Sequence, residues 1–217
     1  MKTKGVVILF LLFSVLEMSS QEVQTKRYLC DQFMDGKIIY KDNKKISKGF
    51  FNYDTVSEKL LFLSEKKIME LSDVSDIEYV EFNKRIFEHI KGNVFYEKIK
   101  VKDLFFYIRR SSNIIQEGTS GAFGTKSNTT AIMSIGSILA EDKKYNLNSS
   151  GYSVYPNDSY YLKLESKFKR FNSINSLAKL FKDQESTIKE QLKELNLDFK
   201  NIEDVKKAVE YCSQFVE

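Results

Sequence analysis

Four side chains in the middle of the chain are of the types that carry acid–base chemistry: Glu81, Glu88, His89 and Glu97. Glu81 with Glu88, and Glu88 with Glu97, are candidate carboxylate pairs. Two carboxyl groups that flank a glycosidic bond serve as acid and as base or nucleophile, and their separation decides the outcome. These four residues are therefore weak candidates for a hydrolytic site, and that site requires them to converge in one pocket.

A glycine-rich stretch, QEGTSGAFGTKS at residues 116–127, approaches two catalytic motifs and matches neither. The nucleophile elbow G-x-S-x-G would be centred on Ser120, but Ala122 replaces its last glycine and the sole histidine, His89, lies upstream. In a phosphate-binding loop lysine follows the last glycine directly, whereas here a threonine precedes Lys126. The stretch is interpreted as a surface loop.

Metal-binding patterns are equally incomplete. One histidine and two distant cysteines do not make a zinc site. The acidic residues Asp73, Asp76 and Glu78 lack the spacing of a calcium-binding EF-hand loop. We therefore expect neither a metal nor a cofactor.

The two cysteines, Cys30 and Cys212, leave two interpretations open. In an oxidising compartment they could form a disulfide, and closing so long a loop stabilises a fold by about 4–5 kcal/mol in the chain-entropy description. Alternatively, each thiol packs separately in the core, where free cysteine behaves as a small apolar residue.

The N-terminus has the three parts of a secretory signal peptide. Lys2 and Lys4 precede the uncharged apolar run 6–16, and Ser19 and Ser20 follow it. The run is too short to span a bilayer, which takes about 20 apolar residues. A lipoprotein box is missing, because Cys30 does not follow the apolar run directly. We expect residues 1–20 to be removed on export, giving a periplasmic or extracellular protein without a transmembrane anchor.

The charge balance argues against a polyanionic partner. Lys and Arg number 34 against 30 Asp and Glu, which gives a net charge of +4 and a mixed surface. The basic pair Arg109-Arg110 follows the aromatic run 105–107, as in some nucleic-acid binding proteins. Export makes outward charges on a strand the better interpretation, and we expect no nucleic-acid partner.

Alternation and turn signals predict a β-rich domain over residues 21–171. The predicted strands are 37–40, 46–53, 58–63, 67–71, 77–82, 85–90, 94–101, 104–109, 152–155, 160–164 and 168–171. In IEYVEF, Ile77 and Tyr79 are predicted on one face and Val80 and Phe82 on the other. The short connections favour an antiparallel twisted sheet or a partly closed barrel.

The β-rich region is interrupted by a long polar loop, predicted over residues 112–131 within a polar segment that extends to 150. Helical periodicity then marks a C-terminal segment, residues 172–217, which we expect to pack on the sheet and complete an α+β fold. Ser173, Asp183 and Asn201 are the predicted caps of three short helices, and Asp204 is placed for a weak capping box.

Several short stretches carry a resemblance: DGKIIY at 35–40, RIF at 85–87 with VFYE at 94–97, GAFGT at 121–125, and the closing LF…DV…YC pattern. Together they resemble uncharacterised exported proteins of Bacteroidetes-type bacteria. The resemblance implies a sheet-rich body, a helical tail and a cell-envelope or secreted location. It implies no catalytic residues, because no activity is assigned to that group.

These observations lead to two functional expectations. The first is a non-enzymatic cell-envelope or secreted binding protein that engages a protein or a glycan through its sheet or loops. The alternative is a hydrolase that acts on polysaccharide or peptidoglycan through paired carboxylates. A subunit of a larger envelope assembly is a third interpretation, and the oligomeric state is not set by the sequence.

Overall fold

The computed structural model describes residues 27–42, 45–116 and 152–215. The strands are β1 Met34–Tyr40, β2 Ile46–Asp54, β3 Lys59–Ser64, β4 Lys67–Glu70, β5 Ile77–Phe82, β6 Arg85–Lys91, β7 Val94–Val101, β8 Leu104–Arg109, β9 Ser112–Gln116, β10 Tyr152–Pro156, β11 Ser159–Leu164 and β12 Lys167–Phe171. The helices are α1 Ile174–Ala178, α2 Glu185–Glu194 and α3 Ile202–Cys212, with 3₁₀ turns at Lys182–Gln184 and Ser213–Phe215.

Ten of these strands form one antiparallel sheet in the order β12-β11-β8-β7-β6-β5-β1-β2-β3-β4, while β9 and β10 pair separately. From β1 the chain meanders outward to β4, returns to pair β5 beside β1, and meanders on to β8. After the β9–β10 ribbon, β11 pairs with β8. Antiparallel neighbours need only short turns, which explains why the strands are so closely spaced in the sequence.

Several hairpins turn through two non-glycine residues with positive φ, namely Glu65-Lys66, Asn83-Lys84 and Glu165-Ser166. Two consecutive positive φ angles define the type I′ turn, whose twist matches that of the flanking strands. None of these pairs is the preferred Asn-Gly, so the hairpins depend on strand pairing more than on turn propensity.

The sheet carries two hydrophobic cores. The first core lies on β1, β2, β3, β5, β6 and β7, and stacked rings of Tyr53, Phe82 and Phe87 are at its centre. The second core lies between β8, β11 and β12 and the helices, where Phe106, Leu162 and Phe171 meet Leu192 and Val209. Burying side chains of this size contributes about 1.5–3 kcal/mol each, so the helices are held by the sheet.

The first described residues are bound into the first core. Arg27 forms a buried ion pair with Asp54 at 2.6 Å, and its carbonyl oxygen accepts from the backbone N–H of Thr55. Asn52 donates to the carbonyl oxygen of Cys30 and accepts from its N–H. A buried ion pair survives only when its partners are well oriented, as they are here.

Two of the three helix N-caps predicted from the sequence are confirmed. Ser173 caps α1 in a capping box, and Asn201 caps α3 by accepting from the N–H of Glu203. The predicted cap Asp183 is wrong: it lies inside the 3₁₀ turn, and α2 begins at Glu185 without a side-chain cap. Asp204 accepts from the backbone of Asp198. The predicted buried stripe of α3 is confirmed, since Val205, Ala208, Val209 and Cys212 are all buried.

The predicted α+β architecture, an antiparallel sheet followed by a helical segment, is confirmed. The partly closed barrel is not confirmed, because among the described strands the ten-stranded sheet remains open, with β4 and β12 as its edges. The predicted loop 112–131 starts too early, since Ser112–Gln116 pairs with β10. The polar composition of the surrounding segment obscured this strand in the sequence. Residues 117–151, which include the rest of the predicted loop, lie outside the described residues.

The predicted orientation of one side chain on β5 is also wrong. Ile77 is buried together with Val80 and Phe82 instead of facing away from them. The cause is a register shift, in which Tyr40 pairs with Ile77 while the adjacent Ile39 pairs with Tyr79. The extra residue on β5 makes a bulge, and a bulge reverses the alternation that a regular strand would follow.

Among the described residues, no helix has both the length and the apolar character that a membrane span requires. The predicted signal peptide, residues 1–20, lies outside the described part of the chain.

Candidate functional site

Strand pairing separates the candidate carboxylates onto two faces of the sheet. Glu97 is paired with Phe87 of the first core, and the next residue on β6, Glu88, is paired with Tyr96. Since neighbouring side chains on a strand point to opposite faces, Glu88 and Glu97 lie on opposite sides. Glu81, paired with Ile86, shares the face of Glu88. The four predicted residues therefore do not converge.

Glu97 is a buried structural carboxylate. Its Oε1 accepts from Arg85 at 2.8 Å and its Oε2 accepts from Arg110 at 2.6 Å. Arg110 donates in turn to Asp158 at 2.6 Å. Burial acts to lower the pKa of Arg110, but the two carboxylates outweigh it and the pKa is raised. With both oxygens engaged, Glu97 is poorly placed to transfer a proton to a ligand.

Glu88 lies within a charged and aromatic surface. It pairs with Lys98 at 2.7 Å and with Lys163 at 3.4 Å, and it accepts from the hydroxyl of Tyr107 at 3.2 Å. Burial, and then the charge of Glu88, raise the pKa of Tyr107. The hydroxyl therefore remains protonated as a donor.

Glu81 and His89 make local contacts. Glu81 pairs with Lys37 at 3.1 Å across strands, and both side chains are substantially exposed. Nε2 of His89 lies 2.7 Å from the carbonyl oxygen of Gly92, and its ring packs on Phe95. Because a carbonyl can only accept, Nε2 carries the proton and the imidazole fastens the β6–β7 turn.

The two cysteines are buried in different cores as free thiols, Cys30 in the first and Cys212 in the second. Of the two interpretations that the sequence left open, the structure therefore has the separate thiols. Burial raises the pKa of Cys212 to about 12. Asn83 donates to Sγ of Cys30 at 3.4 Å. Within the described ranges, no cluster of acidic, histidine and cysteine side chains is suited to a metal ion.

An ordered aromatic surface, which is not recognisable in the sequence, lies on the same face of the sheet as Glu88. We call it the aromatic face; its rings are Tyr96, Phe105, Tyr107, Tyr161 and Phe168, of which Tyr107 is fully buried. Tyr96 stacks on Tyr161 with centroids 4.9 Å apart, and Phe168 meets both Tyr96 and Tyr107 edge-on. Such offset and edge-on pairs are the favoured arrangements of aromatic rings.

Cations lie against these rings. Nζ of Lys98 is 4.5 Å from the centroid of Phe105, and Nζ of Lys163 is 5.5 Å from that of Phe168. Both lysines also pair with Glu88, which places an ion-paired triad among the rings. Each cation–π contact of this kind is worth about 0.5–1 kcal/mol at an exposed site. The rings are therefore held in place before any ligand arrives.

A second ion pair borders the aromatic face. Arg109 donates two hydrogen bonds to Glu58, at 2.6 and 3.0 Å, which links β8 to the turn between β2 and β3. Burial and a hydrogen bond with Tyr161 raise the pKa of Tyr96 to about 12. Tyr96 therefore remains neutral under physiological conditions, and its hydrogen bond with Tyr161 holds the two side chains together.

At the β7–β8 and β11–β12 turns the aromatic face opens into a groove of about 800 Å³. The groove shares Phe105, Tyr107 and Lys163 with the aromatic face and adds Leu180 and Phe181. Its lysines (Lys163, Lys167, Lys169 and Lys182) are nearly balanced by Asp103, Glu165 and Asp183. A cavity of this volume is within the range of ligand sites. Its nearly balanced charge favours neither anionic nor cationic ligands.

The aromatic face was hidden in the sequence because its members come from separate strands. Alternation in VFYEKIKV, LFFYIR and SYYLKL shows which residues share a face within each strand. The rings come together only through strand pairing, of β7 with β8, of β8 with β11 and of β11 with β12.

Comparisons of the chain with protein-family models, with curated proteins and with solved structures find no match.

Proposed function

We propose that this protein is exported and acts as a non-enzymatic binding protein of the cell envelope or the secreted fraction, with a glycan as its ligand. The observation that carries the proposal is the aromatic face, where Tyr96, Tyr161 and Phe168 are clustered on an outer surface of the sheet. It continues into the groove of about 800 Å³.

Sugar rings suit this surface. The C–H groups on one side of a pyranose are apolar and pack on the electron-rich face of an aromatic ring. Phenolic hydroxyls and the ion-paired groups Glu88 and Lys98 supply hydrogen-bonding partners for sugar hydroxyls. Since the rings already stack on one another, little conformational entropy is lost on binding.

A protein ligand fits the aromatic face less well. The fully buried centre of a protein–protein interface is depleted of charged residues. Here Lys98, Lys163 and Glu88 lie among the rings, where a protein partner would have to desolvate them. A glycan, which is polar and flexible in its hydrogen bonding, leaves such groups partly hydrated.

Hydrolysis by paired carboxylates has less support than binding. Glu97 lies on the opposite face from Glu88, and both of its carboxylate oxygens accept hydrogen bonds from arginines. Glu81 and Glu88, which share a face, are each paired with lysine. A carboxylate that is held in an ion pair is poorly placed to donate a proton to a glycosidic oxygen.

The proposal of export is supported by the charged, apolar and small-residue pattern of residues 1–20 and by the resemblance to exported bacterial proteins. N-terminal sequencing of the protein from fractionated host cells tests it. A mature N-terminus at or near Gln21, outside the cytoplasm, is expected. Cytoplasmic protein that still begins at Met1 would contradict export.

Glycan binding is tested with purified protein against starch, xylan, laminarin, chitin oligosaccharides and peptidoglycan, by affinity electrophoresis and calorimetry. We expect saturable binding of at least one glycan without release of reducing ends. The Tyr161→Ala change should weaken binding about tenfold, which is about 1.4 kcal/mol. Tyr161→Phe, which keeps the ring, should bind nearly as wild type.

The matched control is Tyr155→Ala, an exposed tyrosine on β10 outside the aromatic face. It should leave glycan affinity unchanged. Binding of none of these glycans, equal losses in the two alanine variants, or release of reducing ends would each overturn the proposal.

A further inference from the structure

Charged side chains are sorted by face on the four strands that carry the aromatic face. Residues that pair directly across β7, β8, β11 and β12 share a face, and alternate residues of one strand do so too. The only acidic residue of these strands, Glu97, lies on the face opposite the rings. On the side of the rings, the charged residues of the four strands are all cations: Lys98, Lys100, Arg109, Lys163 and Arg170.

One row of paired residues crosses the four strands with a cation at each end. Lys98 pairs with Tyr107, and Tyr161 pairs with both Tyr107 and Arg170. Side chains paired in this way have Cβ atoms about 4.5–5.5 Å apart, so each cation is next to a ring. A ligand that covers Tyr161 therefore has the side chain of Arg170 beside it.

Carboxylates from outside the four strands neutralise only part of this positive charge. Lys98 and Lys163 share a single carboxylate, that of Glu88 on β6. Arg109 is paired with Glu58, from the turn between β2 and β3. Two carboxylates against five cations leave an excess of three positive charges on this strand surface.

Lys100 and Arg170 are the cations that no carboxylate neutralises. Both are exposed, and among the residues that the structure describes neither is within ion-pair distance of an acidic side chain. A terminal nitrogen of Arg170 donates to the hydroxyl of Ser159 at 3.1 Å, and the other N–H groups of the guanidinium remain for a ligand. Arg109 pairs with Ser159 as well, so two guanidinium groups lie at this end of the strands.

The excess of positive charge belongs to the strands and not to the groove. Arg109 and Arg170 lie toward the start of β11, away from the β11–β12 turn. At the turns, the lysines of the groove are nearly balanced by Asp103, Glu165 and Asp183. Salt largely screens exposed charges that are more than about 8–10 Å apart. A ligand on the strands therefore responds to the cations nearest to it, although the chain as a whole has a mixed surface.

We propose that the glycan bound by the aromatic face is an acidic polysaccharide, whose carboxylate or sulfate groups bind Arg170 and Lys100 while its sugar rings cover Tyr161 and Phe105. The inference rests on the proposed function, because it names the class of glycan that the same surface takes. The guanidinium of arginine matches the planar geometry of a carboxylate, with two parallel hydrogen bonds. Lys100, which pairs with Phe105, supplies a point charge beside that ring.

Nucleic acid is another polyanion that stacks on aromatic rings, but it suits this face less well. The proposed export separates the protein from nucleic acid. Single-stranded nucleic acid is also followed by a continuous basic groove. Here three of the five cations are already ion-paired with Glu88 or Glu58.

Two matched pairs of polymers test the inference: polygalacturonate with its methyl ester, and dextran sulfate with dextran. The members of a pair share a backbone and differ in charge. We expect at least one charged member to bind about tenfold more tightly than its uncharged counterpart, which is the effect of two exposed ionic contacts. Its affinity should fall as salt is raised. The pair that shows the difference identifies the anionic group.

Failure of this inference is distinct from failure of glycan binding. Equal affinity within both pairs, or binding of a neutral glycan alone, would overturn the acidic ligand and leave glycan binding intact. Binding of no glycan at all would overturn both. Tighter binding of single-stranded DNA than of either charged polysaccharide would overturn the inference in favour of nucleic acid.

A matched set of variants locates the contact. The double change Lys100→Gln with Arg170→Gln removes two cations and should weaken binding of the charged polymer about tenfold. The control, Lys193→Gln with Lys200→Gln, removes the same charge from exposed positions of the helical segment, which packs on the opposite face, and should leave the affinity unchanged. Far-ultraviolet circular dichroism checks that both variants are folded. Equal losses in the two would show an effect of net charge alone and would contradict the proposal.

Discussion

Oε2 of Glu97 accepts a hydrogen bond from Nε of Arg110 at 2.6 Å, inside the protein. On its two sides Glu97 is paired with Phe87 of the first core and with Ile108 of the second. Glu97, one of the four weak candidates for a hydrolytic site, thus joins the two cores, through Arg85 on one oxygen and Arg110 on the other.

Removing the carboxylate of Glu97 should destabilise the fold. Glu97→Ala leaves Arg85 and Arg110 without their shared partner, and breaking a buried pair costs about 3–5 kcal/mol. The control Glu81→Ala breaks an exposed pair with Lys37 and should cost less than about 1 kcal/mol. Urea denaturation measures both. A loss for Glu97→Ala as small as that of the control would show that the network is not structural.

The thiols should be unreactive in the folded protein. Burial raises the pKa of Cys212 to about 12, so almost no thiolate is present at pH 8, and the thiolate is the reactive form. Cys30 is buried as well. We expect no labelling by a disulfide reagent in native buffer and labelling of both cysteines in guanidinium without reductant. Absence of free thiols after denaturation would instead establish a disulfide between Cys30 and Cys212.

Stability should fall in alkali as tyrosines ionise. The pKa of Tyr96 is raised to about 12 in the folded state by burial and by its hydrogen bond with Tyr161, while the pKa of an unfolded tyrosine is near its ordinary value of about 10. Between these values the unfolded chain binds fewer protons than the folded chain, so the free energy of unfolding decreases as pH rises. The contribution is complete below about pH 10.

Absorbance of tyrosinate and denaturant titrations between pH 9 and 12 measure this dependence. Tyr96→Phe removes one of the titrating groups and should make the fall in stability shallower. Tyr155→Phe, at an exposed position, is the control. An equal slope in wild type and Tyr96→Phe would contradict the assignment of this dependence to Tyr96.

The β5–β6 turn should accept glycine with a gain in stability. Asn83 and Lys84 have φ of 48° and 58°, in the left-handed region. A non-glycine residue there costs about 1–2 kcal/mol, and Lys84→Gly creates the favoured Asn-Gly turn. We expect a gain of about 1 kcal/mol after the entropic cost of glycine, seen as a higher melting temperature.

The control for the turn is Lys91→Gly, on β6, where φ is not positive. It should destabilise by about 0.5–1 kcal/mol, because glycine is unfavourable within a strand. Loss of stability in Lys84→Gly would show that the side chain of Lys84 contributes more than the turn strain removes.

Much of the fold was predictable from local pattern. Alternation located β5 to β8 and β11 almost to the residue, and helical periodicity identified the buried stripe of α3. Signals of this kind depend on neighbours in the sequence. There are two exceptions, the bulge in the pairing with β1 that buries Ile77 and the uncapped start of α2 near Asp183.

The surroundings of the candidate site residues depend on how the strands pair. Glu88 and Glu97 look equivalent as isolated carboxylates, yet β6–β7 register sends them to opposite faces. Arg110 meets Asp158 only because β11 returns to β8 after a long excursion. The sequence alone determined the antiparallel strands, the helical tail and the lack of a complete catalytic motif, because these follow from residue type and short spacing. Which face each side chain occupies, and what it meets there, was decided by the tertiary structure, since one residue of register reverses every side chain on a strand.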